Sequence, residues 1–204
     1  MPTQESFWNK AADKYAAQPV RNEAAYKATI ERVRSRLTQD MAGLEVGCGT
    51  GTTALLLADA IGSLLATDVS TRMIEIAEQK RLDQNAENVT FRAGLIDDPQ
   101  LQAASFDVVL AFNLVHLVPD RQAFLASVKA LLKPGGLFIS KTPCVKEMNL
   151  FIPIVIKGLQ LIGKAPNVES FGPDELKSDI QSAGFEILEE DVLPKPSWYI
   201  VARA

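Results

Sequence analysis

Segments typical of strands and helices alternate along the middle of the chain, and this order restricts the fold more than any other feature. Strands are predicted at 44–46, 64–67, 89–93, 108–112 and 137–140. Helices are predicted between them at 52–61, 71–82 and 122–132. Such an alternation favours parallel strands joined by right-handed crossovers. The run at 108–112 is apolar throughout, which is typical of a central strand buried on both faces. We therefore predict an α/β fold around a doubly wound, mostly parallel sheet.

Further strands and helices near the two ends complete the predicted fold. Strands at 185–193 and 198–202 are separated by a short segment that contains Pro194 and Pro196, so we expect an antiparallel hairpin at one edge of the sheet. The hairpin brings the sheet to seven strands. Apolar residues at mixed three- and four-residue spacing predict an amphipathic helix at 20–38. Another helix is predicted at 174–183.

Composition favours a single domain over residues 1–204 and argues against several classes of function. The chain is 47% hydrophobic, which is ordinary for a globular domain with one buried core. Its net charge is -4 and no basic stripe is visible, so we expect no nucleic-acid partner. The two cysteines and the single histidine lack metal-ligand spacing, which predicts no metal site and a cytoplasmic setting. We also expect no transmembrane segment.

Three glycines, Gly47, Gly49 and Gly51, follow the first predicted strand and precede a helix. Glycine offers no packing, so three in one turn indicate a backbone that must come very close to a ligand. Asp68 ends the second predicted strand, where a carboxylate can accept hydrogen bonds from both hydroxyls of a ribose. Ligands of doubly wound sheets bind beyond the carboxyl ends of the strands, so the glycine turn and Asp68 predict a binding site there.

Five segments, in this order and spacing, resemble the class I S-adenosylmethionine-dependent methyltransferases. LEVGCGTG resembles the first motif of that family and ATDVSTRM the second. SFDVVLAFNLVHLVPD resembles the fourth-strand motif, LLKPGGLFIS the stretch after it, and FGPDELKSDIQSAGFEIL the late helix and strand. The resemblance runs from about residue 7 to 193 and is nearest to small single-domain enzymes that methylate small molecules, including quinones. It implies a Rossmann-like fold, S-adenosyl-L-methionine as cofactor and a small-molecule acceptor.

The resemblance also implies roles for individual residues. Glu45, which stands where the family usually has Asp, would orient the glycine turn and help bind the methionine ammonium. Gly47, Cys48, Gly49 and Gly51 would form the turn against the methionine part of the cofactor. Asp68 would hold the ribose. Val69 and Met73 would pack on the adenine. Asn113 and Leu114 would border the sulfonium and the acceptor.

One position departs from the family pattern. The third motif usually places an Asp just after a Gly, close to the adenine amino group. Here Leu95 follows Gly94, and a leucine side chain accepts no hydrogen bond. We expect either that backbone groups of Leu95 and Ile96 contact the adenine, or that Asp97 takes the place of the acid after a shift in register.

His116 and the N-terminal aromatic residues each allow two interpretations. As a base, His116 would accept a proton near the methyl-transfer site; we favour the alternative, a half-buried residue that orders the turn towards Pro119. Residues 1–40 are expected to form an N-terminal helical cap, because the family folds a helix over the cofactor. Within it Tyr15 would close the pocket, or would only anchor the helix on the sheet.

A long connection at 141–172 is the third uncertain region. Its middle is strongly apolar, and a connection of this length is usually functional. We predict an acceptor lid that includes Phe151 and Ile152. The alternatives are an additional core beside the sheet and an apolar face that rests on a membrane surface.

The function predicted from these features is methyl transfer to a small, hydrophobic or aromatic acceptor by in-line displacement. Two alternatives stay open. One is a non-catalytic module that binds S-adenosylmethionine. The other is an NAD-dependent oxidoreductase, which is disfavoured because Thr52 occupies the last glycine position of that fingerprint.

Overall fold

The computed structural model describes residues 3–20, 22–148, 158 and 165–204. Its strands are β1 (Ala42–Val46), β2 (Ser63–Asp68), β3 (Val89–Ala93), β4 (Phe106–Phe112), β5 (Leu132–Pro143), β6 (Glu186–Val192) and β7 (Ser197–Arg203). They form one seven-stranded sheet in the order β3-β2-β1-β4-β5-β7-β6. β1 to β5 pair in parallel, whereas β7 pairs antiparallel with both β5 and β6. This sheet confirms the predicted doubly wound, mostly parallel fold and its C-terminal hairpin.

Helices connect most of the parallel strands, whereas a loop at 94–105 without a helix joins β3 to β4. The described helices are α1 (Gln4–Ala16), α2 (Glu23–Arg34), α3 (Thr52–Leu57), α4 (Thr71–Gln84), α5 (Arg121–Leu131) and α6 (Pro173–Ser182). Side-chain caps fix four of these starts, and two of the four bear on the site. Ser70 Oγ accepts a hydrogen bond from the Met73 amide at the start of α4, and Asp120 does the same for the Ala123 amide at the start of α5. Both caps lie shortly after the carboxyl end of a parallel strand.

Apolar side chains cover both faces of the sheet. On one face, Phe124 and Val128 of α5 and Ile180 of α6 pack against inward-facing residues of β1, β4 and β5. On the other face, Val33 of α2 and Leu57 of α3 pack against residues of β2 and against the alternate residues of β4 and β5. Because the central strands are buried on both sides, their carboxyl ends are held rigidly where the binding site was expected.

Two elements, α2 and β5, differ most from their predicted bounds. The helix predicted at 20–38 is shorter, because Asn22 caps its start by accepting a hydrogen bond from the Ala25 amide and Ser35 follows its end. β5 is longer than 137–140 and already begins at Leu132. Its pairing with β4 jumps from Leu132 to Leu137, so the Pro-Gly-Gly between them is accommodated as an irregularity.

The predicted lid segment, 141–172, begins within the sheet. Lys141 still pairs with Tyr199 of β7, so the first three residues of this segment belong to β5, and the connection starts only after Pro143. The two described ends of the connection lie side by side, because the Lys146 amide donates to the Phe171 carbonyl over 3.2 Å. Phe151 and Ile152 lie outside the described residues.

Candidate functional site

A cavity of about 510 Å³ opens at the carboxyl ends of β1, β2 and β4. Its wall includes most of the residues that the sequence singled out: Tyr15, Gly47, Gly49, Asp68, Val69, Met73, Leu95, Ile96, Asn113 and Leu114. Four others, Glu45, Cys48, Gly51 and His116, are not part of this wall. Among the described residues of the 141–172 segment, none lines the cavity. The strand ends therefore bring the glycine turn, Asp68 and the loops after β3 and β4 to one place.

The glycine turn after β1 contains three left-handed residues, with φ values of 70° at Gly47, 53° at Gly49 and 74° at Gly51. The space around them differs. A Cβ at Gly47 would lie 2.7 Å from Leu114 Cδ1, and one at Gly51 would lie 2.6 Å from Phe91 Cζ. Both need glycine to avoid neighbouring side chains. A Cβ at Gly49 meets only Tyr15 Cε1 among the described residues, at 3.7 Å, so of the two glycines of this turn in the wall Gly49 is the one whose Cβ position is open to the cavity.

Asp68 lies at the end of β2 and is 9% exposed. Its Oδ2 accepts a hydrogen bond from the Gly49 amide and its Oδ1 accepts one from the Ser70 amide, each over 2.9 Å. Burial raises the pKa of this carboxyl, and the two amide donors oppose that rise. Asp68 therefore fixes the glycine turn while its carboxylate borders the cavity.

Glu45 lies in the layer behind the cavity wall, one residue before the end of β1. It is 2% exposed, and its Oε2 has no hydrogen-bond partner among the described residues. Burial, and then the nearby charge of Asp68, raise the pKa of Glu45 to about 8. An unpartnered buried carboxyl beside a second carboxylate is a site that a cationic ligand group would stabilise.

The loop after β3 carries the departure from the family pattern. Leu95 lines the cavity and is 56% exposed. Asp98 is already engaged, because Oδ2 pairs with Arg92 over 3.4 Å and Oδ1 accepts from the Gln100 amide over 2.9 Å. Asp97 lines the cavity too, and its side chain makes no hydrogen bond or ion pair with another residue that the structure describes.

His116 lies in the 3₁₀-helix Val115–Leu117 that follows β4. Its Nδ1 is 3.0 Å from Thr142 Oγ1, and its backbone amide donates to the same oxygen over 3.2 Å. Burial lowers the pKa of His116 to about 4. A neutral imidazole tied to Thr142 and absent from the cavity wall agrees with a residue that orders the turn.

The N-terminal helix covers the cavity. Gln4, Trp8 and Tyr15 of α1 form part of its wall. Asn9, on the neighbouring face of α1, fixes the helix to the start of α4, because its Oδ1 accepts from Ser70 Oγ over 2.7 Å and from the Arg72 amide over 3.1 Å. α2 contributes no residue to the described wall and instead packs on the sheet. Only the first helix of the predicted 1–40 cap therefore lies over the cavity.

Sequence reasoning missed one part of the wall. Residues at the beginning of α5 and just before it line the cavity: Leu117, Val118, Pro119, Asp120, Ala123, Phe124 and Ser127. They follow β4 directly, so the rule that sites lie beyond the carboxyl ends of strands could have identified them. Asn9 gave no such signal, because its partners on α4 are more than 60 residues away.

The described residues contain no helix that is long and apolar enough to cross a membrane, and no group of three or more possible metal-ligating side chains. The wall is instead formed by backbone, apolar side chains and a few carboxyl groups. Such a cavity suits an organic ligand that carries both polar and apolar parts.

Comparisons with known proteins agree with this geometry. Residues 37–184 match a family model described as a methyltransferase domain. A ubiquinone biosynthesis O-methyltransferase from Xanthomonas axonopodis pv. citri is 30% identical over 183 residues, which cover 87% of this chain and 72% of that protein. An arsenite methyltransferase from Aquipseudomonas alcaligenes is 36% identical over 104 residues, 46% of this chain and 30% of that one.

Solved structures show the same fold. A SAM-dependent methyltransferase from Aquifex aeolicus superposes with a TM-score of 0.73 at 18% identity, covering 100% of this chain and 99% of that one. Geranyl diphosphate C-methyltransferase from Streptomyces coelicolor A3(2), solved with S-adenosyl-L-homocysteine, gives a TM-score of 0.74 at 13% identity and covers 100% and 97%. Together with the family match, these relatives establish that the chain belongs to the class I S-adenosylmethionine-dependent methyltransferases.

Proposed function

We propose that the protein transfers a methyl group from S-adenosylmethionine to a small, hydrophobic or aromatic acceptor by in-line displacement. The cavity beyond β1, β2 and β4 carries this proposal. It combines the glycine turn and the carboxyl group of Asp68, which would bind a ribose, with an apolar wall that includes Leu114, Leu117 and Phe124. Its volume of about 510 Å³ falls in the range of small-molecule sites.

The residues present fit the cofactor. The unpartnered Oε2 of Glu45 would interact with the methionine ammonium, and the open side of Gly49 would admit the methionine backbone. Asp68 retains acceptor capacity for the ribose hydroxyls beside its two amide donors. Val69 and Met73 would pack on the adenine, while Leu95, Ile96 and the carboxyl group of Asp97 would border its amino group. Asn113 and Leu114 would border the sulfonium.

S-adenosylmethionine supplies an electrophilic methyl group when bound. The chain itself has to align the acceptor with that group and exclude water, a contribution that can reach about 7–11 kcal/mol. His116 is a poor candidate for a base, because burial lowers its pKa to about 4 and its Nδ1 contacts Thr142. We therefore propose an acceptor that reacts as an anion, such as a thiolate, an ionised phenol or an enolate.

The relatives support a small-molecule acceptor without identifying it. Their names refer to ubiquinone biosynthesis, to arsenite and to geranyl diphosphate, which are chemically different. The ubiquinone relative covers the largest share of this chain among these curated proteins, so phenols and quinols are the first acceptors to test. We also propose that the connection after Pro143 forms the acceptor lid.

Two measurements test the function. Thermal unfolding with S-adenosylhomocysteine at 100 times its Kd should show about 2.7 kcal/mol of stabilisation, and NAD should show none. Formation of S-adenosylhomocysteine is then followed with phenols, quinols, thiols, arsenite and amines. Turnover restricted to amines would contradict the proposed acceptor class. Cofactor binding without turnover of any acceptor would favour the non-catalytic alternative.

The ribose assignment has its own test. Asp68→Ala should weaken binding of S-adenosylhomocysteine about 10–150-fold, the effect of losing hydrogen bonds to a charged group. Asp68→Asn keeps one carbonyl acceptor and should lose less. Equal affinity of Asp68→Ala and the parent in calorimetry would exclude this assignment.

A further inference from the structure

We propose that Lys80 is a positioning residue for the cofactor, because its ammonium holds Thr50 and Thr52 and thereby fixes the glycine turn in its binding conformation. This inference rests on the proposed function of that turn. Lys80 lies on α4, more than two helical turns after Thr71, and is not part of the described cavity wall. Its effect on the cofactor would therefore pass through the loop.

Three contacts define the interaction. Lys80 Nζ donates to the Thr50 carbonyl, to Thr50 Oγ1 and to Thr52 Oγ1, each over 3.1 Å. An ammonium has three donors, so these oxygens use all of them. Lys80 has no ion pair with an acid among the described residues. The charge is thus directed at neutral oxygens of one loop, and such charge-assisted bonds are stronger than bonds between neutral groups.

Burial makes these contacts difficult to replace with water. Thr50 is 5% exposed, and its carbonyl and hydroxyl both face Lys80. Partial burial also lowers the pKa of Lys80, which agrees with an ammonium that is only partly hydrated. Without the lysine, two oxygens of a buried residue would lose their partner.

Side chains outside the glycine turn restrain it in addition to its backbone hydrogen bonds, such as that from the Cys48 amide to the Thr67 carbonyl. Its three left-handed glycines have no side chains through which packing could fix them. On one side, the Gly49 amide donates to Asp68, which precedes α4. On the other side, Lys80 of the same helix holds Thr50 and Thr52. Gly49, whose Cβ position is open to the cavity, therefore lies between two restraints. One comes from Asp68, just before α4, and the other from Lys80 on α4.

The test compares Lys80→Met with Arg81→Met, a matched control on the same helix. Among the described residues, the side-chain hydrogen bonds of Arg81 go to Glu78, one turn earlier, and none goes to the glycine turn. In calorimetry, Lys80→Met should weaken binding of S-adenosylhomocysteine at least tenfold, and Arg81→Met less than twofold. Lys80→Arg should recover most of the affinity, because a guanidinium offers donors to the same oxygens.

Amide hydrogen exchange in the ligand-free protein separates this proposal from the proposed function. Lys80→Met should accelerate exchange at Gly49 and Gly51, while the amides of β4 stay as protected as in the parent. A merely structural role would instead lower protection throughout the fold, including β4. If the parent itself fails to bind S-adenosylhomocysteine, the cofactor assignment fails, and the exchange result still decides whether Lys80 fixes the turn.

Three results would overturn the proposal: unchanged affinity and exchange in Lys80→Met, an equal loss in Arg81→Met, or no recovery in Lys80→Arg. If Lys80→Met does not fold, Thr52→Val replaces it, because Thr52 is exposed and accepts one of the three bonds. A loss of about two- to fivefold in that variant supports the proposal, and parental affinity with parental exchange contradicts it.

Discussion

Gly49 and Gly51 lie two residues apart, and the structure separates their roles. Gly49→Val forces a branched side chain into a left-handed backbone and towards Tyr15. We expect a protein that still folds, with a melting temperature lowered by the backbone strain, and that does not bind S-adenosylhomocysteine. Gly51→Ala should lower the melting temperature as well, by several degrees, because its Cβ would lie 2.6 Å from Phe91 Cζ, but it should keep measurable binding. Calorimetry and thermal unfolding of both variants check this. Normal binding by Gly49→Val would mean that the turn has no close ligand.

The raised pKa of Glu45 predicts that the stability of the folded protein depends on pH. Its folded pKa of about 8 lies above the ordinary value of 4.5, so its contribution to stability is fully present below pH 4.5 and is lost as the pH rises towards 8. Glu45→Gln stays neutral and avoids this loss. The two proteins should unfold at similar temperatures at pH 4.5, and the variant should be more stable at pH 8, by about 2–4 °C for each kcal/mol. Parallel pH profiles would contradict the raised pKa.

Substitution of His116 tests whether a general base operates in this site. We expect His116→Ala to keep its affinity for S-adenosylhomocysteine and to lose less than tenfold in rate, because the imidazole contacts Thr142 and not the cavity. Loss of a general base would cost about 10²–10⁴-fold. Thr142→Val removes the same hydrogen bond and should behave similarly. A loss above 100-fold confined to His116→Ala would restore the base hypothesis.

At the scale of elements, α1 covers the cavity through a small number of contacts. Asn9 accepts from Ser70 and from the Arg72 amide, and Asp13 pairs with Arg72 over 2.7 Å. Asn9→Ala should accelerate dissociation of S-adenosylhomocysteine by about 3–10-fold, on the order of 1 kcal/mol for a neutral hydrogen bond. Lys10→Ala, an exposed neighbour on the same helix, is the control. Equal dissociation rates in stopped flow would show that α1 does not retain the cofactor.

The connection after β5 is the element expected to contact the acceptor. Replacing Phe151 and Ile152 with Ser should leave the affinity for S-adenosylhomocysteine unchanged and raise the acceptor KM about 10-fold or more, because two apolar contacts are lost. Calorimetry and steady-state kinetics measure the two effects separately. If the double variant unfolds, the segment is part of a core; if its acceptor KM is parental, the segment is not the lid.

At the scale of the whole molecule, the sequence indicated the fold because strand and helix signals alternate over most of the range from residue 44 to 140, with one helix missing between the strands at 89–93 and 108–112. It also indicated the part of the site that consists of local motifs, such as the glycine turn and Asp68. Contacts between distant segments were not predictable. Asn9 meets α4 across more than 60 residues and Lys80 meets Thr50 across 30, and neither pair has a fixed spacing that marks it.

The ends of strands were less predictable than the strands themselves, because pairing with distant segments sets them. Pro134 and the two glycines after it are typical of a turn, yet β5 contains them, because pairing with β4 resumes at Leu137 after the irregularity. Likewise β5 extends to Pro143 through its pairing with β7, a strand about 55 residues later. Tertiary pairing decided both ends of this strand, and local preference decided neither.

The backbone hydrogen bond between Lys146 and Phe171 bears on how the connection after β5 could change in sequence and in length. Because the two ends of the connection already meet, the chain between them closes on the same pair of anchor points whatever its length, and the entropy of closing a loop grows only slowly with length. We therefore expect that the residues between the two anchors can be replaced, lengthened or shortened together without displacing the sheet that carries the glycine turn and Asp68. Because we propose that this connection is the acceptor lid, we expect a graft from a relative between these two anchors to change the acceptor preference and to leave cofactor affinity as it is.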